Sequence, residues 1–161
     1  STSTPETAPD TRGRLVPKIC SVSITAQAEA GSVGLLRRRS SALFAGWAMS
    51  ADGQSSAALV ISELLTNAVM HGLDEMTLTI ALMASELEIT VTDRGKGPSP
   101  KNFSTPSDPD EHGRGLAIVA GLTRSLSIDQ TVTGWCARAR MDVTFAVPAA
   151  ALASNLRLRA A

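Results

Sequence analysis

The chain has 161 residues, 43% of them hydrophobic, which suffices for one core and is too short for two ordinary domains. Fifteen basic residues balance fifteen acidic ones, so charge argues for no direct grip on nucleic acid or on a membrane surface. No run of about eighteen apolar residues is available to span a bilayer and the first ten residues lack the build of a secretory signal, so a cytoplasmic protein is expected.

Residues 1–14 are rich in Ser, Thr and Pro and read as a disordered leader, with order beginning near Leu15. Ile19, Val22 and Ile24 alternate imperfectly over residues 18–25 and suggest a first strand. Residues 32–49 then carry Val33, Leu36, Leu43, Phe44 and Trp47 at helical spacing, with Ser32 as a credible N-cap. Arg37, Arg38 and Arg39 lie on this helix, as a solvated face or as a contact for an acidic partner.

A second helix is expected over residues 55–72, where Leu59, Ile61, Leu64, Leu65, Ala68 and Val69 recur at helical spacing. Within it, Glu63-x-x-x-Asn67-x-x-x-His71 places a carboxylate, an amide and an imidazole on one face, each step turning about 400° and rising about 6 Å. Such a stripe can hold a metal and a water. His71 ends the helix, where its imidazole can equally cap the last carbonyls.

A hairpin follows, residues 76–84 against 86–93, turning at Ser85; Leu87, Ile89 and Val91 alternate with Glu88, Thr90 and Thr92. Asp93 sits where this strand ends and opens Asp93-x-Gly95-x-Gly97. The glycines let backbone approach a planar ligand, and the carboxylate can accept a hydrogen bond from an exocyclic amine, which describes an adenine seat. Residues 98–111 hold four prolines and read as a mobile loop. Gly113-Arg114-Gly115 then runs into Leu116, Ala117, Ile118 and Val119, so glycine-rich backbone feeds a helix N-terminus that favours phosphate.

Two last strands are expected over residues 125–131 and 135–147, joined near Gly134. The element order predicts an α+β fold, a two-layer α/β sandwich with helices on one face of a mixed, mostly antiparallel sheet. Cys20 and Cys136 stand far apart without a CxxC partner and read as buried free thiols. Trp47 and Trp135 should report on the first helix and the late hairpin, neither touching nucleotide. Residues 149–161 form a tail, either a frayed helix or a short partner-binding one.

In order and spacing these motifs resemble the ATP-binding domain of the GHKL superfamily, which includes DNA gyrase, bacterial histidine kinases and RsbW-type anti-sigma factor serine kinases. The matching segments are SELLTNAVMHG (62–72), VTDRGKG (91–97) and HGRGLAIVAGL (112–122), and the resemblance covers residues 15–148. The short lid and the G-R-G-L helix start look most like the RsbW type. The resemblance implies the Bergerat ATP-binding fold, with ATP and Mg²⁺ as cofactors. It also implies a role for each matching residue: Asn67 as Mg²⁺ ligand, Glu63 as general base and Asp93 as reader of adenine. Gly95 and Gly97 would lie under the base. Gly113, Gly115 and Leu116 would follow the phosphates, with Arg114 facing phosphate or solvent.

By the same resemblance, the protein would hold a sigma factor and phosphorylate a serine on an anti-sigma factor antagonist. A homodimer is common among such kinases. The alternative is a nucleotide-sensing module that binds ATP and a partner without turnover, since fold alone does not decide activity. A histidine kinase would need a phosphoacceptor helix upstream and a gyrase-like ATPase a transducer domain downstream, so neither is expected.

Overall fold

The computed structural model describes residues 6–9, 12–71, 74–94 and 111–146. A short hairpin, β1 (Thr7–Pro9) paired antiparallel with β2 (Leu15–Pro17), leads into β3 (Cys20–Gln27). The stretch expected to be a leader therefore contributes a strand, and Ala8 is buried. Two helices follow, α1 (Ala30–Gly46) and α2 (Ala51–His71), then the hairpin β4 (Glu75–Leu82) and β5 (Glu86–Asp93). The last elements are α3 (Glu111–Leu122), β6 (Ser125–Gln130) and β7 (Trp135–Asp142).

The main sheet runs β3-β4-β5-β7-β6, and every neighbouring pair is antiparallel. The expected mixed sheet is thus fully antiparallel among the described residues. Tight turns make the local pairs: Met83 N–H donates to the Glu86 carbonyl (2.9 Å) between β4 and β5, and Thr131 N–H to that of Gly134 (2.7 Å) between β6 and β7. The β3–β4 and β5–β7 pairs are the non-local seams.

Period-two alternation gives the sheet two faces. Leu87, Ile89 and Val91 of β5 stand opposite Leu82, Ile80 and Leu78 of β4 and opposite Met141, Ala139 and Ala137 of β7. These residues join the core with the helices. The other face is polar: Ser23 and Thr79 share a hydrogen bond of 2.8 Å, Thr25 and Thr77 one of 2.9 Å, and Arg140 pairs with Glu88.

α2 packs on β4, β5 and β7 and between α1 and α3. Its buried residues Ala57, Val60, Ile61, Leu64, Leu65 and Ala68 repeat at three- and four-residue steps, the spacing of one helical face. Fully burying each large aliphatic chain is worth about 1.5–3 kcal/mol, so this stripe fixes the rotation of the helix. Leu59, expected among the apolar residues of this helix, lies off the stripe and is 40% exposed.

Both early helices begin sooner than expected. α1 starts at Ala30 with Glu29 at the N-cap, making no side-chain cap bond, and Ser32 lies inside the first turn with its N–H donating to the Glu29 carbonyl. Ser32 is therefore not the cap. The chain reverses through Ala48 in the left-handed region (φ 55°). Ser50 then caps α2, its hydroxyl accepting from Gly53 N–H (3.2 Å) and sharing a hydrogen bond of 2.7 Å with Thr144. Among the described residues no helix is long and apolar enough to cross a membrane.

Candidate functional site

Once α2 is rotated by its buried stripe, Glu63 and Asn67 fall one turn apart at the border of the core, both half-buried. The position along the helix is also set. α2 ends at His71 and β4 starts at Glu75, so the C-terminal half of α2 lies at the end of the sheet where β4 begins. At that end Met76 of β4 is paired with Asp93 of β5, and Asp93 with Trp135 of β7. These residues follow the parity of Leu78, Val91 and Ala137, so Asp93 and Trp135 stand on the face that carries the helices.

α3 closes the site from the other side. It begins at Glu111, so Gly113 and Gly115 lie within its opening turns rather than ahead of it. Gly115 is buried against Glu63: a Cβ built there would collide with Oε2 and come within 3.0 Å of Cδ. Any side chain at this position would have to push that carboxylate aside. The contact sets the general-base candidate on α2 beside the amino-terminal part of α3, where backbone N–H groups lack helical partners and favour an anion.

Gly134 makes a second close approach. A Cβ there would collide with the carbonyl oxygen of Asp93 and stand 2.7 Å from Cα of Arg94. The β6–β7 turn thus lies directly on the end of β5. Next to it, Trp135 is only 6% exposed, and its indole Nε1 is buried with no hydrogen-bond partner among the described residues. The register sets Trp135 directly opposite Asp93.

The structure thus brings Glu63 and Gly115 into contact, with Asn67 one turn along and Asp93 at the same end of the domain. Leu116 packs partly buried against the core. Gly113 and Arg114 belong to α3, and the Arg114 side chain lies outside the described residues, as does that of His71. Gly95, Gly97 and the proline-rich loop also lie outside them. Nothing in the sequence alone sets Gly134 or Trp135 beside Asp93, because that neighbourhood depends on the pairing of β7 with β5.

Among the described residues no group of three His, Cys, Asp or Glu side chains could cage a metal. A single amide oxygen from Asn67 suits Mg²⁺, which commonly takes one or two protein ligands and completes its shell with phosphates and water. The donor set therefore fits a metal that arrives with a nucleotide. A separate concavity lies at the other end of α2, lined by Asp52, Ser56, Thr123, Arg124 and Asp142 among others, and includes none of Glu63, Asn67, Asp93 and Gly115. There the Asp142 carboxylate, 2.6 Å from Arg124 Nε, raises the Arg124 pKa through the hydrogen bond and through its charge.

The family model described as histidine kinase-like ATPase domain matches residues 26–141, a span that takes in both early helices, Asp93, α3 and most of β7. No curated protein matches the chain. Among solved structures, that of the RsbU and RsbW domains of Rv1364c from Mycobacterium tuberculosis is similar at TM-score 0.60 and 20% identity, covering 80% of this chain and 34% of that one. The chain therefore spans about a third of that relative's length. The histidine kinase domain of the blue-light activated histidine kinase EL346 from Erythrobacter litoralis gives TM-score 0.48 at 21% identity, covering 69% of this chain and 59% of that one. The match along the sequence and the shared fold agree: this chain belongs to the histidine kinase-like ATPase domain family.

Proposed function

We propose that the protein is an ATP-binding regulator of the anti-sigma-factor type, acting as a serine kinase similar to RsbW-type proteins. Its partners in this reading are a sigma factor, an anti-sigma factor antagonist, or both. The observation that carries the reading is the contact of Glu63 with Gly115, which sets a carboxylate on α2 against the opening turns of α3 within a family of ATPase domains. The fold shared with a structure containing an RsbW domain supports the regulatory branch.

In this reading each residue has a separable task. Asp93 accepts the exocyclic amine of adenine, with Gly95 and Gly97 under the base. The Asn67 amide oxygen holds Mg²⁺, and the α3 backbone at Gly113, Arg114, Gly115 and Leu116 follows the phosphates through the helix dipole and the N–H groups left free in the first turn. When bound, ATP with Mg²⁺ supplies the phosphoryl group and much of the charge compensation that transfer requires. Glu63 takes the proton of the acceptor serine hydroxyl, a role that suits a carboxylate beside the phosphate-binding helix.

Calorimetric titration of ATP with Mg²⁺ tests the binding part, on the unmutated protein and on Asn67→Ala and Asp93→Asn. Binding that is lost in both variants supports the assignment, and no binding to the unmutated protein refutes it. Glu63→Ala should spare ATP binding and abolish phosphate transfer to an antagonist serine. A binding module without turnover would transfer no phosphate even before mutation.

A further inference from the structure

We infer that Trp135 is a specificity-determining residue for the base of the nucleotide, its indole N–H donating to an acceptor nitrogen of adenine beside the amine that Asp93 accepts. The inference rests on the ATP reading above and extends it to a residue outside the three motifs.

Three observations carry it. Trp135 Nε1 is buried without an acceptor among the described residues, and a buried donor left unpaired is costly enough that native structures rarely keep one. The indole has donor capacity only, so what completes it must present a lone pair. Trp135 also stands directly opposite Asp93 across the β5–β7 seam, on the face that carries α2 and α3. Finally, Gly134 presses its backbone onto the Asp93 carbonyl, so the two residues are held in register by a contact that tolerates no added atom.

Paired residues on one face of the sheet thus carry an acceptor, the Asp93 carboxylate, and a donor unpaired among the described residues, the Trp135 indole N–H. Adenine presents the complement: its exocyclic N6–H₂ donates, and N7 on one side or N1 on the other accepts. Guanine carries an oxygen where adenine has the amine, and would set two acceptors against each other at Asp93. Asp93 and Trp135 together would thus select adenine, whereas a carboxylate alone fixes only one of the two contacts.

The test titrates the unmutated protein with ATP, 1-deaza-ATP and 7-deaza-ATP, each with Mg²⁺, and repeats the series on Trp135→Phe, which keeps an aromatic ring and removes the donor. One of the two analogues should bind the unmutated protein about tenfold more weakly than ATP, the scale of one hydrogen bond with its buried donor left unpaired. In Trp135→Phe, ATP itself should weaken by a similar factor and that analogue should bind no worse than ATP. If ATP and both analogues bind the unmutated protein equally, Trp135 donates nothing to the base; the inference falls and the nucleotide reading stands. If the unmutated protein does not bind ATP, both fall. The analogue series on the unmutated protein decides the matter even if Trp135→Phe does not fold.

Discussion

The Glu63 carboxylate fills the space that a side chain on Gly115 would occupy. Two helices far apart in sequence are therefore spaced by one catalytic candidate. Gly115→Ala should push the Glu63 carboxylate aside, weakening ATP binding and costing at most about 1 kcal/mol of stability, the low end for overpacking, because the colliding atoms end a flexible side chain and Ala favours the helix. In a Glu63→Ala background the same change should cost far less, because the colliding atoms are gone. A double-mutant cycle by urea denaturation reads the coupling directly.

Gly134→Ala should be worse tolerated, since the collision there is with the backbone of Asp93 and Arg94 rather than with a side chain that can swing away. A loss of about 3 kcal/mol is expected, at or above the upper end for an overpacked site. Urea denaturation measures it. Because the strain falls on the end of β5, weaker ATP binding should accompany it.

On the polar face of the sheet, Arg140 donates from Nε (2.8 Å) and approaches through Nη2 (2.7 Å) the same Oε2 of Glu88, and each side chain is only 11% exposed. Removing one partner strands a largely buried charge, so Glu88→Gln should cost about 3–5 kcal/mol. Replacing Glu88 and Arg140 together by Leu should cost much less than the two single changes summed. Equilibrium unfolding of the three variants checks this, and added salt should narrow the differences little.

Burial pushes the Cys136 thiol pKa up, against a smaller opposing pull from Arg138. The folded protein therefore holds this proton at a pH where the unfolded chain releases it. The contribution to stability is fully present below the ordinary thiol pKa of about 8.5 and is lost as the pH rises through the folded value. Cys136→Ser should flatten the alkaline arm of the stability profile. Alkylation of Cys136 near pH 8.5 should be slower than that of free cysteine, because only the thiolate reacts.

How much of this was legible in the sequence depends on distance along the chain. The α2 stripe was readable because helical period is local: once Ile61, Leu64, Leu65 and Ala68 are buried, Glu63 and Asn67 must share the border of that face. Alternation likewise put Asp93 at a strand end. The start of α2 was not readable from period, since Asp52 and Gly53 carry no apolar signal and the Ser50 cap is visible only through its bond to Gly53. Ser32 was a plausible cap by residue type, yet the helix had already begun at Ala30. The place of Trp135 was hidden for a different reason. Its neighbour Asp93 belongs to another segment, and nothing short of the β5–β7 register brings the two together.

That seam also bears on how the protein folds and drifts. The β4–β5 and β6–β7 hairpins close over a few residues, while pairing β5 with β7 must gather a long intervening chain, so the pairing of Asp93 with Trp135 is expected to form late. The entropy of such a closure grows slowly, by about 0.6 kcal/mol for each doubling of the loop. Insertions or deletions between Asp93 and α3 are therefore cheap. Evolution can retune the length of that connection without disturbing the strand register on which Asp93 and Trp135 depend.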